Sequence, residues 1–350
     1  MTAFAPLAAT GIGSVPWADP EEATSTVLTH LPEVPFWPQL VRLGFQEDMV
    51  AQGARGLPAL RLDEASRTVV CDPGQSRELA LAAFYEAVWT DDLEPFALAP
   101  EEARGFFTLC RRIAAMANGP VALKGQVVGP VTFAGMVKDL NGKPILYDRE
   151  LTQAASLGLA RKASWQAQKF RELGKEAVIF FDEPILTGFG SAFFPVSREE
   201  VVTMLTDTLD AVRQPGPVLV GIHCCGNTDW SLLLKLPIDI LSFDSYGYFE
   251  SLLLYEQELK DFLSREGRLA WGLVPTGDDL NREDEESLWD RFQHQVRAVQ
   301  ERGVDLHRLL FQALLTPACG LGYLSADAAH RALTLLSGLS ARARRWLESL

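Results

Sequence analysis

The chain has 350 residues and a formal net charge of −14, because 46 acidic side chains outnumber 32 basic ones. Hydrophobic residues make up 47% of the sequence and charged residues 22%, which is the composition of a folded globular protein and excludes wholesale disorder. The acidic excess argues against nucleic acid or an anionic membrane surface as a partner. Five cysteines cannot all pair with one another, so a reducing compartment is favoured over a disulfide scaffold.

The N-terminal segment carries no export or membrane signal. Residues 1–9 lack a basic region, and Gly11, Gly13 and Pro16 interrupt the apolar stretch that a signal core needs. No apolar run approaches the ~18 residues of a membrane span. We therefore expect a cytoplasmic protein.

Short runs of β-branched or aromatic residues alternate along the chain with longer amphipathic segments. In chain order, the predicted strands are residues 8–15, 35–40, 121–128, 177–182, 218–223, 238–243, 269–274 and 309–315. Several are continuously hydrophobic, as strands buried on both faces of a parallel sheet are. The predicted helices are residues 101–117, 149–173, 198–212, 251–263, 285–302 and 326–347, and Ser197 is a candidate N-cap for the third of them.

Eight strands with intervening helices predict an α/β fold, a (β/α)8 TIM barrel that takes in residues 1–350 as one domain. Residues 47–100, between the second and third strands, are irregular and include a hairpin that pairs residues 60–62 with 68–71. We interpret this region as an elaboration inserted into the barrel. An arrangement of two α/β domains is the alternative.

Chemistry-bearing residues follow two late strands. His223 and Cys225 lie where the fifth strand enters its loop, and Cys319 occupies the corresponding place after the last strand. Residues two apart on an extended segment point to the same side, so His223 and Cys225 face together. One imidazole and two thiolates are a ligand set that zinc favours, and three protein ligands leave the fourth position open, as in catalytic zinc sites. The alternative is that these cysteines only pack in the core, where Cys71, Cys110 and Cys224 are expected to lie.

Five short motifs resemble those of the cobalamin-independent methionine synthase family, specifically its C-terminal catalytic barrel. They occur in the family's order and span residues 11 to 322: Gly11-Ile12-Gly13-Ser14-Val15-Pro16, Gly129-Pro130-Val131-Thr132, Phe181-Asp182-Glu183-Pro184, His223-x-Cys225 and Cys319-Gly320-Leu321. The wider superfamily, which includes methylcobamide–thiol methyltransferases and uroporphyrinogen decarboxylase, shares the barrel.

The resemblance implies a zinc-dependent methyltransferase in which zinc binds the sulfur of homocysteine and the thiolate attacks a methyl group to give methionine. It also implies that Gly13 and Ser14 hold the carboxylate of the amino acid, and that Asp182 binds its ammonium group. Glu183 either binds substrate or orients a ligand. The family's second ammonium-binding acid has Glu47 as its nearest counterpart.

Two departures from the family bear on the catalytic chemistry. Where the family has a zinc-associated Glu, this chain has Asp244, which is one methylene shorter and would ligate zinc weakly, through water, or not at all. Asp182 and Asp244 are therefore the candidate catalytic carboxylates. The family's proton-donating His after the seventh strand is replaced by Thr276, which is a poor general acid.

The absent histidine bears on the methyl donor, because a folate leaving group needs protonation. The family's full synthases carry a second, N-terminal barrel that helps hold polyglutamyl folate, and 350 residues leave no room for one. The net negative charge would also repel a polyglutamyl folate. We therefore expect a methylated corrinoid, carried by a protein partner, as donor to homocysteine or a similar small thiol. Alternatives are another thiol acceptor, a uroporphyrinogen decarboxylase-like activity that needs no zinc, and a non-catalytic zinc- or corrinoid-binding accessory protein.

Overall fold

A computed structural model describes residues 4–72, 76–90, 92–191, 194 and 196–350. The strands in this part of the chain are β1 (Ala8–Ala9), β2 (Leu60–Asp63), β3 (Thr68–Cys71), β4 (Ala122–Val128), β5 (Lys138–Asp139), β6 (Glu176–Asp182), β7 (Leu219–Cys224), β8 (Ile240–Phe243), β9 (Arg268–Val274) and β10 (Ala313–Pro317). The helices are α1 (Pro20–His30), α2 (Met49–Ala54), α3 (Arg77–Val88), α4 (Arg104–Ala114), α5 (Pro130–Met136), α6 (Arg149–Glu172), α7 (Arg198–Arg213), α8 (Trp230–Lys235), α9 (Ser245–Leu253), α10 (Glu256–Ser264), α11 (Glu285–Glu301), α12 (Leu306–Phe311) and α13 (Ala326–Glu348). No helix among the described residues is long and apolar enough to cross a lipid bilayer.

Seven strands form one parallel sheet in the order β1-β10-β9-β8-β7-β6-β4. Helices connect successive strands, and the carboxyl ends of all seven strands lie at the same edge of the sheet. The α/β class and a parallel sheet consistent with a TIM-like barrel are thereby confirmed. An eighth regular strand is not.

The segment predicted as the second strand, residues 35–40, makes bridges on both sides without becoming a regular strand. Phe36 bridges to Lys124 of β4, and Gln39 bridges to Ser14 beyond β1. Pro35 and Pro38 have no N–H group to donate to a ladder, which explains why the pairing is reduced to single bridges. The segment thus connects the two edges of the sheet.

The region between this segment and β4 contains the predicted hairpin. Strands β2 and β3 pair antiparallel from Leu60 opposite Cys71 to Asp63 opposite Thr68, as the sequence predicted. The short strand β5 adds to β3 in parallel, a pairing that sequence reasoning missed. Whether this region is an insertion within a single domain stays a prediction.

The helix predictions are confirmed for α6, α7, α11 and α13, and Ser197 forms a capping box with Glu200 at the start of α7. Three predictions were wrong in their bounds. The predicted strand 8–15 is a regular strand only over Ala8–Ala9. The predicted helix 251–263 is two helices, α9 and α10, that meet at residues 254 and 255. The predicted strand 309–315 begins only at Ala313, because Asp305 accepts a hydrogen bond from the Arg308 N–H and starts helix α12.

Apolar side chains fill one end of the sheet's concave side. The cluster contains Phe4, Ala8, Val34, Ala122, Val178, Phe180, Ile240, Ala270 and Leu314. Side chains on a strand alternate between faces, so the residues two positions further along point to the same side. On three strands the residue at that position is polar: Lys124 follows Ala122, Asp182 follows Phe180, and Ser242 follows Ile240. Polar groups therefore gather toward the carboxyl ends of the strands.

A second buried lysine, Lys162 of α6, gives a test of the fold's energetics. Burial lowers the pKa of Lys162 to about 7, although attraction to Glu102 opposes the shift. A lysine in the unfolded chain titrates near 10.4, so between these pH values the folded state binds fewer protons and stability rises with pH. In urea titrations between pH 7 and pH 10, we expect Lys162→Met to show a smaller rise in unfolding free energy than the wild type. Equal slopes for the two proteins would contradict this assignment.

Candidate functional site

The three predicted metal ligands come together at the carboxyl edge of the sheet. His223 lies in β7, Cys225 follows that strand directly, and Cys319 follows β10. The ligand atoms of these three side chains all lie within 4.8 Å of one another. His223 is buried and the two cysteines are half-buried. Active sites of α/β barrels form at this edge.

A hydroxyl group on the neighbouring strand orients the imidazole. Ser242 of β8 is opposite His223 in the sheet register, and its Oγ lies 3.0 Å from His223 Nδ1. His223 Nε2 is buried and has no hydrogen-bond partner among the described residues. When Nδ1–H donates to Ser242, Nε2 carries the free lone pair that a metal needs. A buried nitrogen of this kind beside two sulfur atoms is suited to bind a metal ion.

Removing this hydroxyl should weaken metal binding. Ser242→Ala deletes the group that fixes the tautomer and orientation of the His223 ring, and loss of such a partner typically costs 10–100-fold in metal affinity. Competition with a zinc chelator measures the effect. An unchanged affinity in the variant would show that Ser242 does not orient His223.

The protein environment stabilises a thiolate at Cys225. A hydrogen bond from Cys319 and the proximity of His223 lower the pKa of Cys225, while the same bond together with burial raises the pKa of Cys319. Burial raises the pKa of Cys224 and of Cys110 to about 12, and it also raises the pKa of Cys71. Cys225 is thus the cysteine with a lowered pKa, whereas Cys319 shares the raised pKa of the three packing cysteines.

The donor set fits zinc. Thiolate sulfur and imidazole nitrogen are its usual ligands, and a group of three leaves room for one exogenous ligand. Two structural observations support the fit: the ligand atoms of the three residues lie within 4.8 Å of one another, and His223 Nε2 has no hydrogen-bond partner among the described residues.

Asp244 lies beside this group and is occupied as a helix cap. Its Oδ1 accepts the Gly247 N–H at 2.8 Å, at the start of α9. Among the described residues, the close group of ligand atoms comprises His223, Cys225 and Cys319 without Asp244. Burial raises the pKa of Asp244 to about 6, and the negative charge of Cys225 contributes to the shift. Direct ligation by Asp244 therefore stays a prediction.

Asp182 ends β6 directly opposite His223 in the register. Its carboxylate is buried, and Oδ1 has no hydrogen-bond partner within the described protein. Burial raises the pKa of Asp182, whereas the positive charge of Lys124 lowers it. A buried carboxylate oxygen without a donor is suited to bind a cationic group of a substrate.

Glu183, the next residue, is taken up within the protein. Its carboxylate accepts the Val131 N–H at 2.9 Å, the Thr132 N–H at 2.7 Å and the Thr132 hydroxyl at 2.6 Å. Burial raises the pKa of Glu183 to about 7, and these bonds oppose the shift by stabilising the carboxylate. The residue thus anchors the N-terminus of α5 to β6, which explains physically why the Gly-Pro-Val-Thr and Asp-Glu-Pro motifs occur together.

The loop that contains Ser14 is joined to the loop that contains Cys319. The Leu321 N–H donates to the Ser14 carbonyl at 2.8 Å, and the Gly322 N–H donates to Ser14 Oγ at 3.3 Å. Ser14 Oγ accepts in this bond, so its own O–H remains available to donate to a substrate carboxylate. The predicted carboxylate-binding residue and the predicted metal ligand therefore lie on two loops that hold each other in place.

Gly320 makes this loop contact possible, since a Cβ atom at position 320 would lie 2.2 Å from Ser14 Oγ. We expect Gly320→Ala to displace Ser14 and to weaken binding of an amino-acid acceptor by about tenfold, the effect of losing one hydrogen bond to a charged group. Calorimetric titration with homocysteine measures the change, and the zinc content controls for damage to Cys319. Unchanged homocysteine affinity would contradict the role of Ser14.

Glu47 is fully buried and bonded to a helix terminus. Its Oε1 accepts both the main-chain N–H and a guanidinium N–H of Arg104, each at 3.2 Å, at the start of α4. Its Oε2 is buried and has no partner in standard hydrogen-bond geometry among the described residues. Burial raises the pKa of Glu47 to about 7, although the Leu40 main chain helps to lower the pKa of the carboxyl. One oxygen of the Glu47 carboxylate is thus available to a substrate. The role of Glu47 in substrate binding stays a prediction.

Sequence reasoning missed Ser242 and Lys124 as members of this site. Ser242 lies two residues before Asp244, so the alternation along β8 was a signal that it faces the interior near His223. Lys124 is a charged residue in a strand that is otherwise uncharged and buried throughout, and a charge in such a strand was a signal of its own.

No protein-family model matches the sequence, and none of the curated proteins matches it. The fold, however, is similar to solved structures along its whole length. A B12-independent methionine synthase from Shewanella sp. W3-18-1, in complex with selenomethionine, is 16% identical with a TM-score of 0.62, and the match covers 99% of this chain and 100% of that one. A methyltransferase from Methanosarcina mazei is 17% identical with a TM-score of 0.59, and the match covers 99% of this chain and 95% of that one.

A third structure, from Listeria monocytogenes and assigned to the vitamin-B12-independent methionine synthases, is 14% identical with a TM-score of 0.58, and the match covers 99% of each chain. At these identities the common property is the fold. The chain therefore has the fold of the B12-independent methionine synthase structures, as its motifs predicted.

Proposed function

We propose that the chain is a zinc-dependent methyltransferase that transfers a methyl group to the thiol of homocysteine and so forms methionine. The observation that carries the proposal is the close group of His223, Cys225 and Cys319 at the carboxyl edge of the sheet. The similarity in fold to methionine synthase structures supports it.

His223, Cys225 and Cys319 would hold the metal. A zinc ion bound there would lower the pKa of an acceptor thiol, so that its sulfur reacts as a thiolate near neutral pH. Ser242 keeps the His223 ring in the orientation that presents Nε2. Asp244 adds negative charge beside Cys225, and whether it also ligates is open to measurement.

The remaining residues bind the amino-acid part of the acceptor. The Ser14 hydroxyl donates to its carboxylate, with Gly13 allowing a close approach of the main chain. Asp182 accepts from its ammonium group, and the free oxygen of Glu47 is a candidate for the same group. Glu183 acts indirectly, because it anchors the segment that begins at Gly129.

We propose a methylated corrinoid, presented by a protein, as the methyl donor. Cob(I)alamin departs without a proton, whereas a folate leaving group requires one. Residues 272–276, in the part of the barrel where the family has its proton-donating histidine, contain no histidine, and Thr276 is a poor general acid. The net charge of −14 is a further obstacle to a polyglutamyl folate.

Incubation of zinc-loaded protein with homocysteine and either methylcobalamin or methyltetrahydrofolate tests acceptor and donor together, with methionine quantified. We expect methionine from methylcobalamin at a rate at least about tenfold above that from the folate, since general acid catalysis contributes 10²–10⁴-fold where it is needed. Comparable rates would overturn the corrinoid assignment. Methionine from neither donor would overturn the proposed function.

A further inference from the structure

Lys124 is a fully buried cation in the interior of the sheet. The apolar residues Phe180, Ile240 and Ala270 belong to the cluster on the same side of the sheet as Lys124. Its ammonium group lies 4.7 Å from the centre of the Phe180 ring. A lysine in such surroundings loses its hydration, and apolar residues of similar volume are often as stabilising or more so. Packing alone therefore does not account for a charge at this position.

The ammonium group is bonded to the segment that leads to Ser14. Lys124 Nζ donates to the carbonyl of Ile12, and to Gln126 Oε1 at 3.2 Å. The Gln126 side chain in turn packs against Gly13, where an added Cβ would lie 2.8 Å from Gln126 Cδ. Lys124 thus braces two consecutive residues of the loop, one directly and one through Gln126.

The same cation acts on Asp182. The two groups attract each other across the buried interior, and each opposes the effect of burial on the other's pKa. Asp182 Oδ1 has no hydrogen-bond partner within the described protein, so the carboxylate remains free to receive a ligand.

We propose that Lys124 is a positioning residue for the amino-acid part of the acceptor: its buried ammonium group fixes the Ile12–Gly13–Ser14 segment, which carries the candidate carboxylate-binding hydroxyl. This inference rests on the proposed function, because it requires an acceptor with a carboxylate and an ammonium group. Lys124 has no part in holding the metal, so its replacement should leave metal binding intact.

Lys162 provides a matched control. It is also a buried lysine, and its Nζ donates to a main-chain carbonyl, that of Phe96, at 3.1 Å. Lys162 borders the same small cavity as Gln126 and Asp182, but its ammonium group is bonded to Phe96 and not to the Ile12–Gly13–Ser14 segment. Lys124→Met and Lys162→Met therefore remove the same type of buried group at two places, of which only the first donates to the segment that carries Ser14.

The test compares two thiols by calorimetric titration of the zinc-loaded, full-length protein. Homocysteine carries both charged groups, whereas 1-propanethiol is the same thiol without them. We expect Lys124→Met to raise the dissociation constant of homocysteine at least tenfold, as the loss of charge-assisted contacts does, and to leave that of 1-propanethiol within about threefold. Lys162→Met should leave both within about threefold. Zinc content should match the wild type in each variant.

A second variant covers a failure of Lys124→Met to fold. Lys124→Gln keeps a donor for the Ile12 carbonyl without the charge, and we expect it to weaken homocysteine binding less than the methionine variant but at least threefold. Wild-type affinity for homocysteine in both soluble variants, or an equal loss for the two thiols, would overturn the role of Lys124 while leaving the proposed function standing. Absence of homocysteine binding by the wild type would instead overturn the proposed function.

Discussion

Replacing Cys319 with Ser should abolish both zinc binding and methyl transfer. Cys319 is one of three side chains whose ligand atoms lie within 4.8 Å of one another, and a serine hydroxyl does not supply the thiolate that zinc prefers. We expect zinc affinity to fall by more than about 100-fold, beyond the 10–100-fold typical of losing a supporting group around a metal. Methyl transfer to homocysteine should fall to the level of the reaction without enzyme.

Cys110→Ser is the matched control for this change. Cys110 is a half-buried free cysteine on α4, and burial raises the pKa of its thiol to about 12. The control should keep wild-type zinc content and activity. Metal analysis after dialysis and the methionine assay measure both variants. Methyl transfer retained by Cys319→Ser after loss of its zinc would contradict the metal-based activation of the thiol.

Glu183→Ala should produce the largest loss of stability among changes near the site. The substitution leaves two buried N–H groups and one hydroxyl, all at the start of α5, without their acceptor. An unsatisfied buried donor costs about 1–3 kcal/mol, and such losses are not fully additive, so we expect a decrease of about 3–5 kcal/mol in the free energy of unfolding. Urea denaturation at pH 8 measures it.

Glu200→Ala is the corresponding control at an exposed helix start. Glu200 also accepts a main-chain N–H and a hydroxyl, both from Ser197, but it lies at the surface. Water replaces a lost acceptor there, and we expect a decrease of about 1 kcal/mol or less. Equal losses in the two variants would show that Glu183 has no special part in joining β6 to α5.

Strand ends were the part of the site that the sequence predicted best. His223, Cys225 and Cys319 each follow a continuous apolar run, and parallel strands bring their carboxyl ends to one edge, so distance along the chain was no obstacle. The hairpin of β2 and β3 was likewise predictable, because its turn is local.

Contacts between loops and strands were less accessible to sequence reasoning. The bond of Ser242 to His223 depends on the register of β7 against β8, and the contact of Gly320 with Ser14 depends on the closure of distant loops. The role of Glu183 was ambiguous because a buried acid after a strand binds either a substrate or another segment of the chain. Residues 35–40 pair only through single bridges, because Pro35 and Pro38 have no N–H group to donate. Whether a proline interrupts a strand depends on whether the adjacent strand has a carbonyl group opposite it, which is a property of the folded sheet.

The central claim is that His223, Cys225 and Cys319 bind zinc and that the metal binds the acceptor's sulfur. X-ray absorption at the zinc edge measures this directly in the loaded protein, before and after homocysteine is added. The account predicts two sulfur neighbours in the free protein, at about 2.3 Å, and three after homocysteine is added. Protein that binds no stoichiometric zinc, or zinc whose sulfur count does not change when homocysteine binds, would contradict it.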